Sequence, residues 1–227
     1  MASSVTPRFV ADSVRNVIDY LTGAELVLAP NPVAESSSRI SWHAADPSVP
    51  FLDSRDHTTI SQYLAWLNAG NYSCVLFDGS LLQMSYALEK GRVIGHRLAY
   101  VPCPWQFDLS LIREGLALDE VFELCSSEDV LLRSPVRFDY DPAASRLGHP
   151  AAHMTLNSSE CRIACVAPLH AHRFTNFVFE HFYSDYWKSH HDFFSVASYR
   201  HIGEPVISDT DREGMHLSWN PRLRHSA

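Results

Sequence analysis

Between residues 72 and 104 the chain reads YSCVLFD, SLLQMSYAL and VIGHRLAYVPCP, interrupted only by Asp78-Gly79 and by Glu89-Lys90-Gly91. Apolar and β-branched runs joined by such short glycine turns pair with their sequence neighbours in an antiparallel sense. Parallel pairing would need a crossover of a dozen or more residues. Two prolines end the third run. Three further strands are expected at 135–141, 149–156 and 161–167, and a short one at MHLSW, 215–219. RISWH, 39–43, alternates as another short strand; Asn31 to Ser38 reads as loop, as does the segment through Pro50.

Helices are expected around this meander. Pro7 to Leu21 carries Val10, Val14, Val17, Ile18 and Leu21 at helical spacing, with proline at a first-turn position. Thr58 to Asn68 places Ile60, Tyr63, Leu64 and Leu67 on one stripe and stops before Gly70. Leu109 to Cys125 reads as one helix, with Leu116, Val121, Phe122 and Cys125 along one side. His170 to Tyr186 reads as another, with Phe174, Phe177, Val178, His181 and Phe182 as its buried stripe. The fold class is therefore α+β: a largely antiparallel meander with helices packed on one side, in a single domain over 1–227. Its parts are a mainly helical segment 1–70, a sheet core with the long helix at 72–186, and an extension at 187–227.

The apolar fraction of 46% and charged fraction of 19% are those of a globular chain rather than a disordered one. No stretch approaches the ~20 apolar residues of a membrane-spanning helix, and MASSVTPRFVADSV lacks the basic-then-apolar order of a signal peptide, so a cytoplasmic location is expected. The five cysteines include no CxxC. Cys161 and Cys165 on one strand would lie about 13 Å apart, beyond disulfide reach, so reduced thiols are expected. A formal net charge of −8, with lysine only at 90 and 188 and no Lys/Arg run, excludes the broad basic face typical of a stand-alone nucleic-acid binder. Any polyanion handled here needs local positive charge or a partner that supplies it.

The most chemistry-bearing stretch is RFDYDPAASRLGHPAAH, 137–153. With 142–148 as the connecting loop, Asp141 lies opposite His149, Asp139 opposite Ala151 and Arg137 opposite His153. Opposed residues share a face and side chains alternate along each strand. One face thus gathers Arg137, Asp139, Asp141, His149 and His153; the other gathers Phe138, Tyr140, Pro150, Ala152, Met154 and Leu156. A solvated face with incidental ion pairs is the plain reading of such segregation. The functional reading rests on residue type, because this face holds proton-transfer and anion-binding groups without Lys, Glu or Gln filler. A histidine beside a carboxylate suits acid/base work, and arginine suits phosphate.

Metal binding fits less well. On a strand His149 and His153 stand some 13 Å apart, too far to share a zinc, and Pro150 holds His149 extended. A divalent ion shared by His149 with Asp141, or by His153 with a neighbouring strand, is the remaining version. The next strand, CRIACVA, has two registers. One turns Cys161, Ile163 and Cys165 toward the polar face; the other turns Arg162 there and creates a local anion site.

Elsewhere, one of His96 and Arg97 must face outward, most simply for solvation. His170, His172 and Arg173 open the long helix, where backbone N–H groups favour anions. His181 reads as a core histidine, and the five tryptophans as packing residues. No phosphate-cradling glycine loop, GxSxG elbow or kinase signature is present.

SLLQMSYAL, HRLAYVPCP, RFDYDP, HPAAHMTLN and CRIACVAPLHAHRFTNFVFEHFY, in that order, resemble a bacterial family known only as a domain of unknown function, of the 2290 type. The resemblance spans about residues 72–186, and HPxxH following RFDYDP is its most specific part. It implies an accessory protein of bacterial defence or mobile loci, encoded beside a larger ATPase or nuclease. A fainter likeness to small toxins with an aromatic-rich R-x-D/Y strand and a histidine-rich strand points to nucleic acid.

The leading expectation is a component of a bacterial defence or toxin-like system acting on nucleic acid or a nucleotide. In it His149 and His153 are acid/base groups oriented by Asp139 and Asp141, with Arg137 and Arg162 on phosphate. Metal-independent phosphodiester cleavage of this kind needs the two histidines to converge, which requires a bend or bulge near Pro150. The alternative is a non-enzymatic subunit that recruits or restrains an ATPase or nuclease effector. A third reading is a sensor holding a small phosphorylated ligand at His172 and Arg173.

Overall fold

The structure is a computed structural model that describes residues 6–46, 59–157, 160–195, 202 and 204–219. The expected loop through Pro50, the proposed helix start at Thr58 and the basic C-terminal end fall outside the described residues. Ten strands form one sheet: β1 Val27–Pro30, β2 Val33–Glu35, β3 Arg39–Trp42, β4 Cys74–Leu76, β5 Leu81–Glu89, β6 Arg92–Val101, β7 Val136–Tyr140, β8 Ala152–Leu156, β9 Arg162–Cys165 and β10 His216–Leu217. The path β1-β4-β5-β6-β7-β8-β9-β10 is extended by β3, which pairs with β2 and also with β5. Every pairing is antiparallel except β9 with β10, which is parallel. The molecule is α+β with a mostly antiparallel sheet.

The first helix, α1 (Pro7–Gly23), starts where the sequence places it: Thr6 caps it and Pro7 fills its first position. Val10, Val14, Val17, Ile18 and Leu21 are all buried, each contributing roughly 1.5–3 kcal/mol of burial. The second, α2 (Ile60–Asn68), opens on a capping box of Thr59 and Gln62. Its buried residues are Tyr63 and Trp66, whereas Ile60 is exposed. The helix expected over 109–125 is instead two, α3 (Leu109–Arg113) and α4 (Leu118–Leu124). Paired bonds from Gly115 N to Ile112 O and from Leu116 N to Leu111 O close the first of them. The long helix ends early as α5 (Ala171–Phe182), followed by α6 (Ser184–Ser189) and α7 (His191–Ser195). The break falls at Tyr183, whose hydroxyl donates to Asp78 Oδ2 at 2.9 Å. The face of α5 that packs inward is Ala171, Phe174, Thr175, Val178 and Phe179. Phe182 is exposed, and so is His181, which meets the Phe177 ring edge-on rather than entering the core. Aromatics lie on both flanks of α5 because α7 offers a second apolar surface, where Phe194 stacks on Phe179. The segment 31–38, expected as loop, contains β2.

Alternation divides the sheet into two faces. Leu82, Met84, Tyr86, Leu98, Tyr100, Phe138 and Met154 join α1 and α5 in the main core. On the opposite face Val75, Leu81, Ala99 and Val101 pack under Tyr63, Trp66 and Phe122 of α2 and α4. That second cluster covers only the β4–β6 end. The remainder of this face, over β5 to β9, forms the floor of an open cavity.

Candidate functional site

The cavity, about 890 Å³, is lined by Arg39, Arg97, Arg137 and Arg162, by His149 and His153, and by Glu89, Asp139 and Asp141, among others. Its floor follows from strand register. Asp139 lies opposite Arg97 on one side and His153 on the other, and Arg137 lies opposite Ala99 and Thr155. The hairpin register is thus two residues from the expected one. Because the offset is even, every strand residue keeps its face. Arg162 lies opposite Thr155, which selects the register that turns this arginine, not Cys161 and Cys165, toward the polar side. All five cysteines are free.

Asp139 is the hub. Its Oδ1 accepts from Arg97 Nε at 3.0 Å and its Oδ2 from Arg137 Nε at 2.6 Å, while His153 Nε2 stands 3.7 Å from Oδ2. Burial opposes its charge, but the Arg137 and Arg97 guanidiniums outweigh that and hold the carboxyl below the ordinary aspartate range. Arg137 has only 6% of its side chain exposed, so this is a buried, charge-assisted pair; Arg97, at 38%, reaches the surface.

His153 is buried, and its Nδ1 lies 2.8 Å from the Pro150 carbonyl. A carbonyl only accepts, so Nδ1 carries the proton. Burial keeps His153 below the usual histidine range despite Asp139, and at neutral pH the ring is uncharged. His149 leaves the ladder. Arg146 and His149 bond backbone to backbone in both directions across a tight turn in which Gly148 takes φ +73°. Pro150 and Ala151 then bend the chain so that the His149 ring meets the His153 ring edge-on, with centroids 4.9 Å apart. The bend thus brings the two rings together, where regular strand geometry would hold them apart. His153 is the inner, fixed partner; His149 is half-buried, with an Nδ1 that has no hydrogen-bond partner among the described residues.

Asp141 is spent differently from its expected role. Its Oδ1 accepts from Ala143 N and Ala144 N at 3.1 and 3.2 Å and so caps the short turn Pro142–Ala144 at the cavity rim. Short-range caps of this kind compete for a carboxylate. His172 and Arg173 are not brought to the hairpin. They sit on the α1–α5 side of the sheet, where His172 packs 4.5 Å from Phe193 and Arg173 lies 5.4 Å from the Trp219 ring. The first turn of α5 is closed by His170, whose Nδ1 accepts from His172 N and whose ring lies against Phe9.

Two arginines carry more of the site than sequence reasoning assigned them. Arg97, the member of the His96–Arg97 pair that faces outward, is half of the clamp on Asp139. His96, its neighbour, turns into the core and accepts from Leu169 N–H at 2.9 Å. Arg39, exposed on β3, donates to Ser85 Oγ at 3.3 Å from the far side of the cavity. The alternation HRLAY signals that Arg97 and His96 part company, but no sequence feature gives Arg97 its partner. Among the described residues no group of three or more His, Cys, Asp or Glu side chains is placed to hold a metal ion, and no helix is long and apolar enough to cross a membrane.

No curated protein and no solved structure matches the chain. Residues 26–219 match the family described as Uncharacterized conserved protein (DUF2290), a span that takes in all ten strands of the sheet with its polar face, and the chain belongs to that family.

Proposed function

We propose that this cavity binds a nucleic acid or nucleotide through its phosphate groups, and that His149, backed by His153, serves as the acid/base group of a phosphodiester cleavage. The observation that carries the reading is the convergence of Arg97, Arg137 and Arg162 with the paired histidines on one cavity of a chain whose net charge is −8. Guanidiniums gathered on one cavity floor suit planar, multidentate contact with phosphate. A half-buried imidazole beside them suits proton transfer to or from a ribose hydroxyl or leaving oxygen. The cellular role, a component of a bacterial defence or toxin-like system, is supported by the segment resemblance.

The test is cleavage of labelled RNA and DNA by the purified protein, with and without Mg²⁺ or Mn²⁺, for wild type and for His149→Ala/His153→Ala. Cleavage lost in the double variant supports the reading, and dependence on added metal would assign a different chemistry to the site. Intact substrate throughout retires the stand-alone enzyme. It would favour the second reading, a non-enzymatic subunit that recruits an ATPase or nuclease. The exposed Leu124 (65%) and Leu132 (103%), beside a cavity lined by Phe107, Leu111 and Leu131, speak for such a contact surface.

A further inference from the structure

The four arginines do not cluster around one point. Arg39 is on β3, which pairs with β5; Arg97 is on β6, Arg137 on β7 and Arg162 on β9. From β3 to β9 is five strand steps, or roughly 24 Å at ~4.8 Å per step. The residues also descend along the strands. Arg39 lies level with Ala87 and Gly95, Arg97 one alternation further on, and Arg137 and Arg162 one further still, level with Thr155. The result is a diagonal cationic stripe whose flank carries His149 and His153. A single nucleotide reaches no more than a part of it.

Resting on the phosphate-binding reading above, we infer that the ligand is a single-stranded oligonucleotide, its backbone laid diagonally across the strands from Arg39 to Arg162. The carboxylates along the path do not oppose this. Asp139 is held by Arg97 and Arg137, Asp141 caps its own turn, and Glu89 lies 3.9 Å from Lys90. Glu160, 3.8 Å from Arg162, is a solvent-exposed partner that a phosphate would displace. Arg137 lies on a recessed floor and is 6% exposed. A duplex presents its phosphates on a convex outer surface and cannot deliver them to such a depth, whereas a single strand can bend into it. Ile94, 44% exposed on the bulge between β5 and β6, and Leu147, 92% exposed at the turn that carries His149, give the bases apolar contacts beside the stripe. Backbone tracking of this kind is sequence-tolerant.

The measurement is fluorescence anisotropy at two salt concentrations, using end-labelled single-stranded RNA and DNA of 2, 4, 8 and 12 nucleotides, a blunt duplex, and unlabelled AMP as competitor. Affinity should rise with length and then level off, with AMP a weak competitor and the duplex weaker than either single strand. Arg39→Gln and Arg162→Gln should each weaken the 12-mer several-fold and lower its salt slope by about 0.7, the share of one phosphate contact on a single strand. Arg39→Gln, at the far end of the stripe from the histidines, should leave dinucleotide binding near wild type. Arg39 is exposed, so loss of fold does not confound its variant; an unchanged melting temperature checks this. If AMP displaces the 12-mer as effectively as unlabelled 12-mer does, or if the Arg39 variant is silent, the extended ligand is wrong and the phosphate site stands. A duplex that binds as well as the single strands also overturns it. No binding by any of these probes removes the phosphate reading along with it.

Discussion

Asp139 is where burial, charge and register meet. Two arginines donate to its two oxygens from adjacent strands, and a neutral histidine closes the third side. A carboxylate whose folded pKa is depressed contributes stability above the ordinary aspartate value, near 4, and that contribution is lost as pH falls through the lower folded value. Asp139→Asn should cost about 3 kcal/mol in urea melts at pH 7, because Arg137 stays buried without its counter-charge. The same substitution should raise affinity for inorganic phosphate or an oligonucleotide, since it removes the negative charge under the two guanidiniums. A variant that is destabilised and also binds anions more weakly would mean that Asp139 builds the site rather than restrains it. For the histidines the expectation is asymmetric. His149→Ala should leave the melting temperature nearly unchanged, whereas His153→Ala should lower stability by about 2 kcal/mol through lost packing and the orphaned Pro150 carbonyl.

The β7–β8 hairpin presents two faces with opposite demands. Phe138 fills the core side, 5.1 Å from the Phe177 ring and 6.1 Å from that of Phe174. Its neighbours on either side are Arg137 and Asp139. Phe138→Ala should cost about 3–5 kcal/mol by calorimetry, the usual range for a buried aromatic; a loss under 1 kcal/mol would show that β7 is not seated on α5. Gly95 sits where β6 resumes its pairing after the bulge, and an added Cβ would lie 3.1 Å from the Tyr140 carbonyl oxygen. Gly95→Ala should therefore destabilise by roughly 1 kcal/mol, the crowding at a backbone atom outweighing the entropy that alanine recovers. A bulge at the cavity rim, like the bend at Pro150, re-aims side chains that regular strands would keep apart. The bend is what shortens the expected separation of the two histidines to a ring contact.

Across the whole molecule, acid should act through the buried histidines. Burial pushes His96 and His170 down to about 4, against an ordinary value near 6.5. Between those values the unfolded chain binds more protons than the folded one, so stability falls as pH is lowered through that window. Unfolding free energies from urea melts at pH 7.5 and pH 5 should differ by about 2 kcal/mol for each of the two histidines. A flat profile would mean that neither is held neutral.

Length, alternation and turns determined the α+β class, the antiparallel meander and α1, because periodicity and capping act over a few residues and do not wait for distant partners. They also determined that Arg137, Asp139 and His153 share a face, since a period of two survives an even error in register. Pairing itself was another matter. Arg97 meets Asp139 only after the chain returns from α3 and α4, and Arg39 reaches the cavity only because β3 lies alongside β5. The choice of Arg162 over Cys161 and Cys165 depended on one residue of register in β9, which no local signal fixes. The helix start at His172 and Arg173 looked open to an anion in sequence and is closed by His170 and α1 in space. Where a side chain's partner comes from a distant strand, the sequence supplies the group and only the fold supplies its neighbour.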